Sequence, residues 1–352
     1  MQITLLLPDL IPAPEMRDAA LNGLKLPALT TLLARGDKTV TPSDGNLDGW
    51  LCRTFGVAKQ QDWPLAPVTL MADGGEPGSA YWLRADPVHL RATRDKLMLA
   101  DSGAFQINQL EAEACVAAFN AHFQADGMTL YPLRPDRWYL KLDHTPQLIT
   151  QPVSAATGKH VDPYLPTGTD GLKWHRLYNE IQMLFFSLPI NDAREARGEM
   201  TVNSIWLWGG GTLVSAATTS RFKLYANAAD ARALAFAAAC ANDALPSDAN
   251  ALTGSANALT GSDDALTGSD DALILLETLR GAAQYGDVIG WREGMQQLES
   301  DWFAPLLARL KSGRIKTLQL VVPGAAQTTH WHVTRSALLK LWRRGGLPDQ
   351  LQ

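Results

Sequence analysis

The stretch VNSIWLWGGG, Val202 to Gly211, decides how the rest of the chain is interpreted, because an apolar run leads into three glycines. A strand that ends in a glycine loop is the usual beginning of a phosphate or nucleotide site in α/β proteins. Neither standard fingerprint is present: no Lys-Ser or Lys-Thr follows at P-loop spacing, and the three glycines do not make G-x-G-x-x-G. The stretch alone therefore favours a turn with positive φ at the end of a buried strand.

The composition is that of a soluble globular protein. The chain has 352 residues, 46% of them hydrophobic and 19% charged, and 31 basic against 36 acidic residues give a net charge of -5. The length indicates two domains, or one large domain with an insertion. The charge balance predicts no general affinity for nucleic acid or for an anionic membrane. The most basic cluster, Lys340, Arg343 and Arg344, is interpreted as the positive end of a helix rather than as a binding patch.

The cysteines and the N-terminus predict where the protein resides. Cys52, Cys115 and Cys240 stand far apart, so neither a zinc finger nor a disulfide framework is indicated. The N-terminus has a short apolar run without a basic region, which is not the pattern of a signal peptide. We therefore expect a cytoplasmic protein.

Apolar periodicity predicts alternating strands and helices. We expect Leu5, Trp206, Leu275 and Val321 to lie on strands of one sheet. Residues 1–74 and 201–352 are predicted to form this α/β core domain, and residues 75–200 an inserted, smaller α+β domain.

Two helices have clear end signals. The helix that follows Asn108 is predicted to have this residue as its N-cap. A second amphipathic helix is predicted to run from Trp291 to its end at Gly313.

Residues 251–271 contain the seven-residue copies ALTGSAN, ALTGSDD and ALTGSDD. Each copy has one large apolar residue with Gly and Ser, so no coiled-coil seam exists and we expect a flexible, solvated loop. The alternative is calcium binding through acidic pairs, but these pairs lack the ligand spacing of a calcium loop. Those pairs are Asp263 with Asp264 and Asp270 with Asp271.

Several segments resemble one known family. They are LPALTTLLARG, DGWLCRTFGV, YWLRADPVHL, LADSGAFQINQLEA, KHVDPYLP and, most specifically, SLPINDAREARGEMTVNSIWLWGGG. In this order they resemble the archaeal-type cofactor-independent phosphoglycerate mutases of the alkaline phosphatase superfamily. The resemblance implies an α/β fold with an alkaline-phosphatase-like sheet flanked by helices and an inserted smaller α+β domain. It also implies that the glycines of the opening stretch lie beside a phosphoester-binding cleft.

The chemistry of that family needs two divalent cations held by Asp and His, and a Ser that receives the phosphoryl group. In this chain the resemblance places Leu47 at the nucleophile. It places Arg280, Gln284, Gly324 and Ala325 at metal-ligand positions. Because arginine carries a permanent positive charge, Arg280 could partly replace a metal electrostatically but cannot bind one.

A few residues remain as alternatives for a metal or a nucleophile. Asp9 stands at or next to one metal position of the family, and His330 or His332 is a further possible ligand. His330 and His332 alternate around Trp331, so both imidazoles face one side of a strand, which we interpret as an edge strand with Trp331 packed inward. Ser43 is a nearby hydroxyl, although TPSDGN is first of all a polar turn. We expect no metal cofactor; the alternative is Mn, Mg or Zn.

Cationic residues and the motif matches supply the candidates for a ligand site. Arg84, His89, Arg91 and Arg94 suit a phosphate or carboxylate, or else form an exposed strand paired with Asp86 and Asp95. His160 and Asp162 match a His-Asp pair of the family, as an acid with its orienting carboxylate or as an ordinary turn before Pro163. The substrate-binding candidates are Arg84, His160, Asp162, Asn191, Arg194, Asn203, Gly209, Gly211 and Arg280.

These observations lead to three hypotheses for function. The first is a phosphoglycerate-mutase-like protein with a degenerate two-metal site, a pseudoenzyme that binds a small anionic or phosphorylated ligand through Arg84 and Arg280 or regulates a protein partner. The second is a phosphomutase or phosphatase with a relocated metal site, and the third is an interaction protein. The chain also resembles a bacterial family of regulatory proteins from virulence clusters, which fits the first hypothesis.

Overall fold

The computed structural model describes residues 1–93, 96–215, 222–252, 271–343 and 345–351. The chain divides into two compact units, of which the first combines Met1–Leu51 with Thr218–Gln352 and the second is Cys52–Ala217. The boundaries between these units, after residues 51 and 217, differ from the predicted boundaries after residues 74 and 200. The assignment of a core domain and a substrate-type domain stays a prediction.

The described residues form strands in both units. They are β1 (Gln2–Leu6), β2 (Asp37–Pro42), β3 (Tyr81–Ala92), β4 (Leu97–Ala100), β5 (Met128–Arg134), β6 (Arg137–Leu142), β7 (Ser204–Gly211), β8 (Phe222–Tyr225), β9 (Asn242–Asp243), β10 (Asp271–Leu275), β11 (Thr317–Pro323) and β12 (Gln327–Thr334).

Helices alternate with these strands, so the predicted mixed α/β class is confirmed. They are α1 (Pro14–Leu21), α2 (Pro27–Arg35), α3 (Asn46–Thr54), α4 (Leu65–Ala72), α5 (Gln109–Phe123), α6 (Val153–Ala156), α7 (Gly171–Phe186), α8 (Pro189–Ala196), α9 (Ala229–Ala237), α10 (Arg280–Gln284), α11 (Val288–Leu298), α12 (Ala304–Ser312) and α13 (Leu347–Gln350). In the described ranges, no helix combines the length and the apolar character that a membrane span needs.

The first unit contains a sheet of seven described strands in the order β2-β12-β11-β1-β10-β8-β9. The strands from β11 to β9 are parallel, whereas β12 is antiparallel to both of its neighbours. Leu5 of β1 packs in the hydrophobic core between the sheet and helices such as α2 and α11. Leu6, on the opposite face of the strand, is also fully buried. Burial on both faces explains why most residues of the central strands are apolar. The parallel pairing brings the C-terminal ends of β1 and β10 to one edge of the sheet.

The second unit contains an antiparallel sheet built around the long strand β3. Its described strands follow the order β4-β3-β6-β5, and β7 pairs with β3. Asn108 is the N-cap of α5, as predicted, in a capping box with Glu111: Glu111 N donates to Asn108 Oδ1 at 3.0 Å, and Asn108 N donates to Glu111 Oε2 at 3.1 Å.

The position of Trp206 corrects the expectation of a single sheet. Leu5, Leu275 and Val321 lie on strands of the first unit's sheet, but Trp206 lies on β7 of the second unit, opposite Asp86 of β3. An apolar run with glycines fits either sheet, because periodicity carries no information about the strand that pairs with it.

The segment predicted as one helix from Trp291 to Gly313 is interrupted. A π-helical turn at Glu299–Phe303 separates α11 from α12. From this turn the Glu299 carboxylate accepts hydrogen bonds from Ala28 N at 2.6 Å and from Leu29 N at 3.0 Å, at the start of α2. Since α2 has no side-chain cap of its own, Glu299 satisfies two of its first N–H groups and places a negative charge at the positive end of the helix dipole.

The heptapeptide copies lie largely outside the described residues, and so do Asp263, Asp264 and Asp270. Both ends of the predicted 251–271 loop belong to the packed first unit. Leu252 is buried in its core, and Asp271 begins β10, where its Oδ1 accepts a hydrogen bond from Gln2 N at 2.8 Å.

We expect Glu299→Ala to lower the free energy of unfolding by about 1–2 kcal/mol, because two N–H groups of α2 lose their acceptor. Urea denaturation followed by circular dichroism measures the change. The control is Glu293→Ala on the exposed side of α11. Equal effects of the two substitutions would show that the interhelical cap contributes nothing to stability.

Candidate functional site

The glycines of the opening stretch lie within strand β7, and all residues of this strand are buried. Gly209 has the expected positive φ, +66°, but it is part of the strand and not of a turn after it. A Cβ atom on Gly210 would lie 2.5 Å from the Tyr81 hydroxyl oxygen, and one on Gly211 would lie 2.5 Å from Pro64 Cβ. The glycines therefore allow neighbouring segments to pack directly on the strand. The substrate-binding role of Gly209 and Gly211 stays a prediction.

Arg84 forms a buried ion pair with Asp86 on the same strand, β3. Its Nε and Nη2 donate to Asp86 Oδ1 at 3.0 and 2.9 Å, and Nη2 lies 2.9 Å from Oδ2. Trp208 Nε1 donates to the same carboxylate at 2.8 Å, and the guanidinium carbon lies 4.9 Å from the centre of the Trp208 ring. The pairing with Asp86 is the predicted alternative to a ligand site, but the exposed position predicted for it is wrong, because Arg84 and Asp86 are both buried. An anion at Arg84 would have to compete with Asp86.

The other members of the predicted cationic group do not share the ion pair of Arg84 and Asp86 in the described residues. His89 Nδ1 lies 2.9 Å from the Thr201 carbonyl oxygen, and Arg91 is exposed. Arg94 and Asp95 lie outside the described residues.

His160 and Asp162 are brought together as the sequence predicts. His160 Nε2 lies 3.0 Å from Asp162 Oδ2, and Nδ1 lies 3.4 Å from the Leu97 carbonyl oxygen. This geometry is that of an imidazole oriented by a carboxylate, on a partly exposed turn. Its catalytic or binding role stays a prediction.

Asn191 and Asn203 connect backbone segments of the second unit. The Asn191 amide donates to Val202 O and accepts from Val202 N, each at 2.9 Å. The Asn203 amide accepts from Leu90 N at 2.7 Å and donates to Leu90 O at 2.9 Å. Each side chain bonds to both the N–H and the C=O group of one backbone residue. It thereby replaces the hydrogen bonds that a neighbouring strand would make to that residue.

Arg194 is buried, and its guanidinium donates hydrogen bonds to three acceptors. It donates at 2.7 Å to Met200 O, to Gln106 O and to Glu111 Oε2. Together with Arg197, Glu111 and Glu199 it lines a cavity of about 620 Å³. Two cations and two carboxylates balance one another there.

Arg280 lies in an acidic cluster of the first unit. It begins α10 and forms an ion pair with Glu277, which follows β10 by two residues. Burial lowers the pKa of the Arg280 guanidinium, but the carboxylates of Glu277, Asp48 and Asp9 outweigh this effect and raise it above its ordinary value. We call Arg280 with Asp9, Asp48 and Glu277 the Arg280 cluster. Its members Asp9 and Glu277 follow the adjacent parallel strands β1 and β10.

The sequence did not identify two members of this cluster, Asp48 and Glu277. Glu277 has a usable signal, because it stands directly after the apolar run of β10, at the edge where ligands of parallel sheets collect. Asp48 has none, since α3 reaches the cluster only through the tertiary fold.

His330 and His332 lie on β12, with Trp331 fully buried between them as predicted. The predicted edge position is wrong, because β2 pairs with β12 on its outer side. His330 Nε2 lies 3.3 Å from Thr41 Oγ1, and burial lowers the pKa of His330 below its ordinary value.

Within the described part of the chain, no group of three or more His, Cys, Asp or Glu side chains is arranged to hold a metal ion. At the position where the resemblance places a metal ligand stands Arg280, whose cation already faces the carboxylates of its cluster.

We expect Gly210→Ala to destabilise the protein by about 1–3 kcal/mol, because its methyl group would overlap the Tyr81 hydroxyl and the Leu83 side chain. Tyr81→Phe alone should cost little, since this hydroxyl is buried without a hydrogen-bond partner. In the double variant Tyr81→Phe should recover part of the loss. Gly281→Ala is the control, because a Cβ there meets no atom within 4 Å. Thermal unfolding of the four variants tests the packing role, and additive losses in the double variant would contradict it.

Comparison with known proteins relates the chain to one group of enzymes. No protein-family model matches it. The 2,3-bisphosphoglycerate-independent phosphoglycerate mutase of Methanosarcina mazei is 29% identical over 134 residues, which are 37% of this chain and 34% of that protein. The match thus spans about a third of the length of this curated relative.

The likeness of the fold rests on one solved structure. The PH0037 protein from Pyrococcus horikoshii matches 95% of this chain and 87% of its own, with a TM-score of 0.51 and 11% identity. The cofactor-independent phosphoglycerate mutase from Thermoplasma acidophilum matches 99% of this chain and 95% of its own, with a TM-score of 0.44 and 15% identity. Nothing in the comparisons supports the resemblance to regulatory proteins of virulence clusters. The chain is therefore similar, at low identity, to cofactor-independent phosphoglycerate mutases, and it has the fold class of its structural neighbours.

Proposed function

We propose that this chain is a phosphoglycerate-mutase-like protein that does not transfer phosphate through two bound metals and acts instead as a binding, regulatory protein. The observation that carries the proposal is the Arg280 cluster, in which a guanidinium stands among carboxylates at the C-terminal edge of the parallel strands.

The guanidinium of Arg280 repels a metal ion and offsets part of the attraction that the carboxylates of Glu277, Asp48 and Asp9 would exert on one. Two unit charges 4 Å apart interact with roughly 4 kcal/mol at an effective dielectric constant of 20, and a divalent cation doubles this repulsion. Arginine keeps its charge at every physiological pH, so the repulsion cannot be relieved by loss of a proton. The guanidinium serves as the permanent counter-ion of Asp9, Asp48 and Glu277.

The hydroxyl that lies nearest to the nucleophile position in the sequence is already engaged. Leu47 is buried and has no oxygen to accept a phosphoryl group. The Ser43 hydroxyl donates to the Gly324 carbonyl oxygen and accepts hydrogen bonds from Gly45 N at 3.1 Å and Asn46 N at 3.3 Å. These bonds support the interpretation of TPSDGN as a polar turn. An attack by Ser43 would require its hydroxyl proton to leave the bond to the Gly324 carbonyl oxygen.

The same contacts weigh against a small anion bound through Arg84 or Arg280. Asp86 balances Arg84, and the three carboxylates around Arg280 outnumber its charge. An anionic or phosphorylated ligand would therefore meet net negative charge at Arg280. This favours the protein-binding form of the proposal over the small-anion form.

We expect the purified protein to contain substoichiometric Mn, Mg and Zn and to show no metal-dependent hydrolysis of p-nitrophenyl phosphate and no interconversion of 2- and 3-phosphoglycerate. Elemental analysis by mass spectrometry and coupled assays measure both properties. Stoichiometric metal with turnover that is lost in Asp9→Asn or His330→Ala would support the alternative, a phosphomutase or phosphatase with a relocated site.

We expect Arg280→Met to lower the free energy of unfolding by about 2 kcal/mol, because three neighbouring carboxylates lose their counter-ion. Millimolar MnCl2 should restore part of the melting temperature of this variant but leave the wild type unchanged, since a metal can then replace the missing cation. Arg314→Met, at an exposed position of the same unit, is the control. If Arg280→Met melts at the wild-type temperature, the counter-ion role is wrong.

A further inference from the structure

Strand β2 is the outer strand of the first unit's sheet. It pairs with β12 on one side, and within the described residues no strand pairs with it on the other. All six of its residues are exposed. An outer strand presents N–H and C=O groups on which a further strand can form.

Three large apolar side chains lie close together in the chain near this strand. Leu339, Leu341 and Trp342 are 73%, 59% and 77% exposed. Single exposed apolar residues are common, but three within four positions of the chain indicate a contact surface. Tryptophan in particular is enriched among the residues that dominate binding energy at interfaces.

Ion pairs fix this segment beside the beginning of β2. Lys340 Nζ lies 3.0 Å from Asp37 Oδ1, and Arg343 Nη1 lies 2.7 Å from the same oxygen. Lys340 is the C-cap of a short 3-10 helix, Ala337–Leu339, as expected of a cation at the end of a helix. Both Lys340 and Arg343 also pair with Asp37, the first residue of β2, and Arg344 lies outside the described residues. We call Leu339, Leu341 and Trp342, with the cations Lys340 and Arg343, the β2 patch.

The β2 patch has a positive charge on an acidic protein. Lys340 and Arg343 are two cations beside the carboxylate of Asp37, whereas the chain as a whole has a net charge of -5. Charge complementarity favours an acidic partner.

We propose that the β2 patch binds an extended segment of a partner protein in which apolar and acidic side chains alternate. The segment adds to β2 as a further strand, its apolar side chains contact Leu339 and Trp342, and its carboxylates face Lys340 and Arg343. The proposal does not depend on the absence of catalysis.

Other occupants fit the patch less well. A second copy of this chain, in a symmetric contact, would place the positive patch against itself. A lipid surface offers no regular row of donors and acceptors to the backbone of β2, whereas an extended peptide does.

The experiment selects binders to the full chain from a phage-displayed library of random peptides about a dozen residues long. The expected binders alternate apolar and acidic residues. Trp342→Ser and the double variant Lys340→Glu with Arg343→Glu should each weaken binding about tenfold or more, and added salt should weaken it too. Ile289→Ser, which changes an equally exposed residue of the same unit, should leave binding unchanged.

Hydrogen exchange separates strand addition from side-chain contact alone. Amides of β2 should exchange more slowly in the peptide complex than in the free protein, and circular dichroism should show that each variant is folded. The proposal is overturned if no such peptides are selected, if the patch substitutions leave their affinity unchanged, or if β2 gains no protection.

Two further measurements test the other occupants directly. A dimer in sedimentation that disappears in Trp342→Ser would assign the β2 patch to a second copy. Binding to phosphatidylserine vesicles that disappears in the same variant would assign it to a membrane. Either result would overturn the proposal. A monomer that does not bind vesicles and does bind the selected peptides supports it.

Discussion

One guanidinium lies among several carboxylates at the edge of the parallel sheet of the first unit, and the proposed function depends on this arrangement. Parallel strands β1 and β10 bring Asp9 and Glu277 to the same edge, and Arg280 supplies the positive charge that these side chains need. In a metalloenzyme an exchangeable ion would fill this role, and its reactivity would be available to a substrate. A side-chain cation offsets part of the carboxylate charge and offers no coordination position to a substrate.

Local patterns in the sequence predicted local structure well. The start of α5 followed from Asn108, and strands β1, β10 and β11 followed from continuous apolar runs. What failed depended on contacts between distant segments. The partner of β7 is set by its register with β3, and the turn within the Trp291–Gly313 segment lets Glu299 cap a helix 271 residues away in the sequence. No periodicity encodes such contacts.

The residues of the candidate site also fall into two groups, those that a local motif could predict and those that only the folded chain brings together. Alignment with a known motif identified Arg280 and the His160–Asp162 pair, because each stands at a fixed position in a recognisable segment. The same alignment could not show that Asp86 neutralises Arg84, or that Asp48 joins Arg280 from another part of the chain. A motif specifies the type of a residue, and its charge environment arises only when the chain has folded.

The packing of the glycines of β7 has a consequence for how relatives of this chain should be compared. Because Tyr81 and Pro64 occupy the space that side chains on Gly210 and Gly211 would need, steric exclusion alone is sufficient to retain both glycines. Natural selection for a folded unit would keep these two glycines in lineages that have lost every catalytic group. Retention of the pair across a set of homologues is therefore a record of shared architecture, and it should not be used to transfer an enzymatic activity from one homologue to another.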